Sequence, residues 1–210
     1  KESRTNKKIV HTYSIGFGFR PPYQILLDGE FCKVALDRKI YLKDALPSLM
    51  FAPTRLLVTE CILNELKSKG HDHTSAYILA KKFETRKCSH KEQPVSSYQC
   101  IREAVGDDNK HHLSIATQNP KLKDRLRKIP GVPIIYVNVK HQRLGIEPMT
   151  DRSKQVMKQH ELEKTQPVDK MTLQLKRKVL ANEGDEHQQK PKPKKRKVKG
   201  VNPLAMKKKK

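Results

Sequence analysis

Four side chains could close one tetrahedral metal site: Cys61, Cys88, His90 and Cys100, with Cys32 left over. Three thiolates and an imidazole suit zinc, whose bonds could pin a long polar loop that lacks a core of its own. Cys88 and His90 flank Ser89, close enough to supply two ligands from one loop. The spacing departs from ordinary zinc fingers, because 26 residues separate Cys61 from Cys88 and nine separate His90 from Cys100. Cys61 also precedes Ile62 and Leu63, so a small buried hydrophobe is a comparable reading of that residue. Spacing alone leaves both readings open. Acids carry a second possible chemistry. Asp28 ends the apolar run Ile25-Leu26-Leu27, and Glu65 lies on the helix expected after a second such run. In open α/β sheets, ligands bind at the carboxyl ends of the strands. A metal-dependent phosphodiesterase needs several carboxylates there, to hold one or two Mg2+ or Mn2+ ions that activate water. Two acids do not establish that chemistry, because surface carboxylates are common.

The elements that would position these residues follow from apolar patterning. Tyr23 to Leu27, Arg55 to Thr59, His112 to Thr117 and Val132 to Val139 are short apolar runs, each expected to form a strand. Helical spacing follows at Phe31 to Leu36, Leu42 to Leu49, Ile62 to Leu66, Thr74 to Phe83, Ser97 to Val105 and Lys121 to Lys128. Strands alternating with helices predict an α/β three-layer domain over 23–148 with a central parallel sheet. The polar stretch Thr85 to Ser97 reads as an irregular loop, and the candidate metal ligands make 85–100 a zinc-binding insertion. Residues 1–22 are basic and polar and end in Gly and Pro punctuation, which reads as an arm. Residues 149–182 read as a partly helical extension, Val168 to Leu180 most clearly. Residues 183–210 have the composition of a disordered lysine-rich tail.

Charge limits the partners. The chain carries 45 Lys and Arg against 22 Asp and Glu, a formal net charge of +23. Residues 1–150 contribute +11 and residues 151–210 contribute +12. A polyanion is the natural partner, since each neutralised phosphate releases condensed counterions. No apolar run approaches the roughly 20 residues that span a bilayer, so no membrane partner is expected. Without an apolar leader, the four cysteines point to a reducing compartment and to metal rather than disulfides. Candidate RNA contacts are Arg4, Lys7, Lys8, Arg20, Lys81, Lys82, Lys121, Arg125, Arg127 and Lys128, together with the tail. Lys192, Lys194, Lys195, Arg196 and Lys197 form the compact cluster that nuclear import receptors bind. A generic polybasic RNA-binding tail is compatible with the same residues. Five Phe, six Tyr and no Trp leave little for base stacking, so backbone and shape recognition should dominate.

Several stretches together resemble a known family. They are Arg20 to Gly29 (RPPYQILLDG), Thr59 to Leu66 (TECILNEL), Lys87-Cys88-Ser89-His90, Ile115-Ala116-Thr117-Gln118 and Ile129 to Ile134 (IPGVPI). This set resembles the PIN-domain proteins of the small-subunit processome, from about residue 5 to residue 150. The ending Gly200 to Lys210, with Asn202-Pro203-Leu204 before a lysine run, is similar to the branch called U three small nucleolar RNA-associated protein twenty-three. A sister branch is FAF one copurifying factor. The resemblance implies a nuclease-like PIN fold and a structural Zn2+ held by Cys61, Cys88, His90 and Cys100. It also implies work in early pre-rRNA processing in the nucleus and nucleolus, beside small-subunit processome proteins, pre-rRNA and an H/ACA-class small nucleolar RNA. Asp28 and Glu65 match acids of the active pattern, but Gln99 and Asn119 stand where relatives carry acids. An amide oxygen can ligate a metal but brings no negative charge. The expectation is therefore a degenerate nuclease without resident Mg2+ or Mn2+, a non-catalytic RNA-binding assembly factor. An active metal-dependent endoribonuclease cutting pre-rRNA is the alternative.

Overall fold

The computed structural model describes residues 2–90 and 93–165. The chain divides after Lys164, and the Val168 to Leu180 helix, the lysine-rich tail and the import cluster at 192–197 all lie outside the described residues. Six strands form one sheet: β1 (Tyr23–Leu27), β2 (Thr54–Thr59), β3 (Glu84–Arg86), β4 (Leu113–Ala116), β5 (Ile134–Asn138) and β6 (Arg143–Ile146), in the order β3-β2-β1-β4-β5-β6. All neighbours pair in parallel except β6, which runs antiparallel to β5. β1 is paired on both edges, with Ile25 opposite Leu56 on one side and Ser114 on the other. Ile25, Leu26 and Leu27 have no solvent exposure. A strand covered on both faces must be a continuous apolar run, and the sequence supplies one.

The helices are α1 (Glu2–Phe17), α2 (Gly29–Asp37), α3 (Leu42–Met50), α4 (Glu60–Ser68), α5 (Thr74–Lys81), α6 (Ser97–Val105), α7 (Pro120–Leu126) and α8 (Asp151–Thr165). α2, α4 and α5 pack on one another, while α1 packs on α3 and both reach β6. The α/β class and the mostly parallel sheet agree with the sequence reading. Three elements do not. β3 starts at Glu84 and runs into the stretch expected to be an irregular loop, and β6 adds an antiparallel edge. Both are short, and β3 carries no buried residue, so neither shows an apolar run.

The third difference corrects the N-terminal arm. Residues 2–17 are a helix whose Val10 and Tyr13 are buried, and Phe19 just beyond it is 2% exposed. Val10, Tyr13 and Phe17 recur at helical spacing, a signal masked by the polar residues around them. The Tyr13 hydroxyl donates to the Val132 carbonyl, and the Tyr13 and Phe19 rings meet edge to face. Gly131 is where this helix meets the sheet. Its φ is +70°, and a Cβ there would fall 2.5 Å from the Phe17 ring. Its carbonyl accepts from the Asn109 amide at 2.7 Å, and its N–H donates to the Ser153 hydroxyl on α8. One backbone position thus joins α1, the turn before β4, the entry to β5 and α8. Gly131→Ala is expected to destabilise the domain by about 2 kcal/mol, from left-handed backbone strain plus displacement of Phe17. Urea unfolding should show the lower midpoint with an unchanged slope.

Candidate metal cluster and crevice

Strand order turns around between β1 and β4. The chain leaves β1 toward β2 on one side and leaves β4 toward β5 on the other, so the two exits diverge and a crevice opens at their carboxyl ends. Asp28 sits at the end of β1 and is 3% exposed. Its Oδ2 accepts from the Thr117 hydroxyl at the end of β4, 2.7 Å away, bridging the two strands. Burial raises the Asp28 pKa to about 6, against the Thr117 hydrogen bond and with help from the charges of Glu30 and Glu65.

Glu65, on α4, is fully engaged. Oε1 lies 2.7 Å from the Lys69 ammonium, and Oε2 accepts from the Ser97 backbone N–H at 2.5 Å, at the N-terminus of α6. Burial opposes the Glu65 charge, but the Lys69 and Ser97 hydrogen bonds outweigh it and hold its pKa below the usual carboxylate range. The Lys69 ammonium in turn is strengthened first by Glu65, and also by the charges of Glu30 and Asp28. A fixed cation therefore stands among the acids.

The two amide positions are occupied as well. Asn119 is the N-cap of α7: its Oδ1 accepts from the N–H groups of Lys121 at 3.0 Å and Leu122 at 3.4 Å. Gln99 points elsewhere, its Nε2 donating to Glu103 Oε1 at 3.1 Å. Asp124, a nearby acid in sequence, pairs with Arg127 at 2.6 Å. Gln118 joins the exit of β4 to β5 by exchanging two hydrogen bonds with the Val137 backbone.

The cysteine and histidine residues converge a short distance along α4 and α6. Thr59 caps α4, accepting from the Ile62 N–H at 3.4 Å, so Cys61 enters the first turn with its side chain buried. Cys100 projects from α6 and donates its thiol to the Thr59 hydroxyl at 3.3 Å. Cys88 and His90 come from the loop after β3. Cys61 Sγ and Cys88 Sγ are 3.8 Å apart, and ligand atoms of all four residues lie within 4.8 Å of one another. This cluster could hold a metal ion. Burial pushes the Cys100 thiol up to about 12 and raises Cys61 too. Burial also opposes the Cys88 thiolate, but hydrogen bonds led by the His90 backbone hold its pKa below the usual thiol value. Cys32, the cysteine left over, is buried in the apolar core.

The basic residues do not gather on one face. Arg4, Lys7 and Lys8 are exposed on α1, and Arg20 is exposed just before β1. Lys81 and Lys82 end α5 ahead of β3, at the amino end of the sheet, whereas Lys121 opens α7 at the carboxyl end beside the crevice. Lys128 is exposed and Arg125 half-buried. Arg127 is committed to Glu147 and Asp124. Sequence reasoning missed Thr117, Lys69 and the link from Glu103 to His90. The i,i+4 spacing of Gln99 and Glu103 was visible, but only the fold brings His90 to them.

Comparison with known proteins agrees with this geometry. The Fcf1 family model matches residues 48–148, and the UTP23 sensor motif matches residues 192–210. The rRNA-processing protein utp23 of Schizosaccharomyces pombe is 37% identical over 139 residues, which are 65% of this chain and 54% of that protein. The rRNA-processing protein FCF1 homolog of Homo sapiens is 33% identical over 133 residues, 62% of this chain and 64% of its own. The match thus spans less than two thirds of either relative. Among solved structures, the PIN domain endonuclease Utp24 superposes with a TM-score of 0.57 at 32% identity, covering 63% of this chain and 97% of that one. The sheet order, the crevice and these matches lead to one assignment: the chain belongs to the Fcf1/UTP23 family of PIN-domain proteins.

Proposed function

We propose that this chain is a non-catalytic RNA-binding ribosome assembly factor of the small-subunit processome, acting in early pre-rRNA processing in the nucleolus. The observation that carries the reading is that the crevice satisfies itself. Asp28 accepts from Thr117, Glu65 is held by Lys69 and Ser97, Asn119 caps α7 and Gln99 turns to Glu103. Divalent-ion catalysis needs carboxylates free to neutralise the ion and orient water. Here two charges are missing, and Lys69 supplies a positive one. Mg2+ and Mn2+ therefore have no resident role. One observation favours the alternative of an active endoribonuclease: the solved PIN domain of 32% identity is described as an endonuclease.

RNA binding is supported by the net charge of +23 and by relatives that are rRNA-processing proteins. Arg4, Lys7, Lys8, Arg20, Lys81, Lys82, Lys121, Arg125, Lys128 and the tail are its proposed contacts with pre-rRNA and an H/ACA-class small nucleolar RNA. Arg127, the remaining candidate, contributes less because Glu147 and Asp124 already hold it. Lys192, Lys194, Lys195, Arg196 and Lys197 serve as the proposed nuclear import signal.

Cys61, Cys88, His90 and Cys100 are proposed to hold structural Zn2+. Two sulfurs each about 2.3 Å from a tetrahedral ion would stand roughly 3.8 Å apart, and the Cys61 and Cys88 sulfurs have that separation. His90 Nδ1 is buried without a hydrogen-bond partner, which suits a lone pair meant for a metal. When bound, the ion would cross-link the loop after β3 to α4 and α6. His90 and Cys88 would fasten the loop, while Cys61 and Cys100 would anchor it to the helices.

Three outcomes test these readings. The purified chain should bind a pre-rRNA fragment with an affinity that falls roughly a thousandfold between 50 and 200 mM salt. It should leave that RNA intact in Mn2+; robust cleavage abolished by Asp28→Asn would instead establish the nuclease. Metal analysis should find about one zinc per chain, and Cys88→Ser should lose the zinc and lower the melting temperature. A separate prediction concerns pH. The folded-state pKa of Asp28 lies above its ordinary value of 3.8, so folding favours the protonated form. Stability should therefore decline as pH rises from about 4 through about 6, since burial disfavours the ionised carboxylate. Asp28→Asn cannot ionise. It should exceed the parent by up to about 3 kcal/mol at pH 7.5, with the gain vanishing near pH 4, read by denaturant unfolding.

A further inference from the structure

The nine-residue helix α6 serves both sites. Ser97 holds Glu65 of the crevice, Cys100 belongs to the thiol cluster, and Gln99 and Glu103 flank Cys100 one helical turn apart. Glu103 lies on the rim, its side chain 45% exposed, and both its oxygens are used. Oε2 meets His90 Nε2 at 2.5 Å, and Oε1 accepts from Gln99 Nε2 at 3.1 Å. An imidazole whose Nε2 faces a carboxylate carries its proton there, which leaves the Nδ1 lone pair free. That Nδ1 is the buried atom without a partner, on a residue whose ligand atoms cluster with three thiols.

We propose that Glu103 is the positioning carboxylate of this metal site, that it directs His90 to bind through Nδ1, and that Gln99 is needed to hold Glu103 in place. The inference rests on the zinc reading given above and adds to it a role for position 99. Relatives are expected to carry an acid at that position for the nuclease crevice. Here an acid would place two carboxylates at i,i+4 on one helix, with repulsion in place of an amide donor. The amide at position 99 is thus a requirement of the metal site as well as a missing charge in the crevice. Restoring the acid should weaken the metal site rather than simply revive the crevice.

Carboxylates that orient metal-bound histidines typically account for 10- to 100-fold in metal affinity. The test uses the full chain and Zn2+ in competition with a chromophoric chelator, with 15N spectra of the histidine rings as a second readout. Gln99→Glu and Glu103→Ala should each weaken Zn2+ binding about tenfold or more. The exchange Gln99→Glu with Glu103→Gln should restore most of the affinity. In that double variant the amide group at position 103 can donate to the new carboxylate at position 99, while its carbonyl oxygen accepts from His90. The spectra of the parent should show His90 bound through Nδ1 with a proton on Nε2. A Gln99→Glu chain that matches the parent to within about twofold would overturn the inference, as would coordination through Nε2. A parent that binds no zinc would overturn the zinc reading and this inference with it. A parent that binds zinc while its variants do so equally would overturn this inference alone.

Discussion

Strand β1 is paired on both edges and covered on both faces, and every other element takes its place from it. Its last three residues, Ile25, Leu26 and Leu27, have to be apolar up to the point where the strand ends. The first charged residue after them, Asp28, is therefore forced to stand at the mouth of the crevice while still buried. Its ionised form is disfavoured there, and the Thr117 hydroxyl from the neighbouring strand offsets only part of that penalty. In a nuclease the remainder would fall to a divalent cation. In this chain the Lys69 ammonium pairs with Glu65 and feels the charges of Glu30 and Asp28 as well.

The metal cluster answers a different constraint. The described residues of the loop between β3 and α6 add nothing to the apolar core, yet they bring Cys88 and His90 against α4 and α6. A single ion held by ligands from α4, α6 and the loop would offset the conformational entropy of ordering that loop. The same short helix also donates its Ser97 amide to Glu65. The candidate metal cluster and the crevice are thus neighbours through α6, where Glu103 accepts from Gln99 and meets His90 of the cluster.

Among the described residues, positive charge is spread rather than focused. Basic side chains stand on α1, at the end of α5 and at the start of α7, at opposite ends of the sheet. Arg127 departs from the pattern, because its guanidinium ties α7 to Glu147 just beyond β6.

The sequence by itself determined the class of fold, since apolar runs with period two or continuous burial, alternating with helical spacing, admit few other arrangements. It also determined which residues could ligate metal, because that is a fact of side-chain chemistry, whereas only the family resemblance marked positions 99 and 119 as ones where an acid is expected. Local pattern was silent where an element is short or polar. β3 buries none of its three residues, and α1 hides a narrow stripe of Val10, Tyr13 and Phe17 among charges. Only the tertiary structure decided what the crevice residues do. Whether Glu65 meets a metal or Lys69, and whether Gln99 faces the crevice or Glu103, depends on contacts between α4, α6 and the loop after β3. One of those contacts joins Ser97 to Glu65, 32 positions apart, and hydrogen-bond partners at such separation are chosen by packing, not by neighbours in the chain.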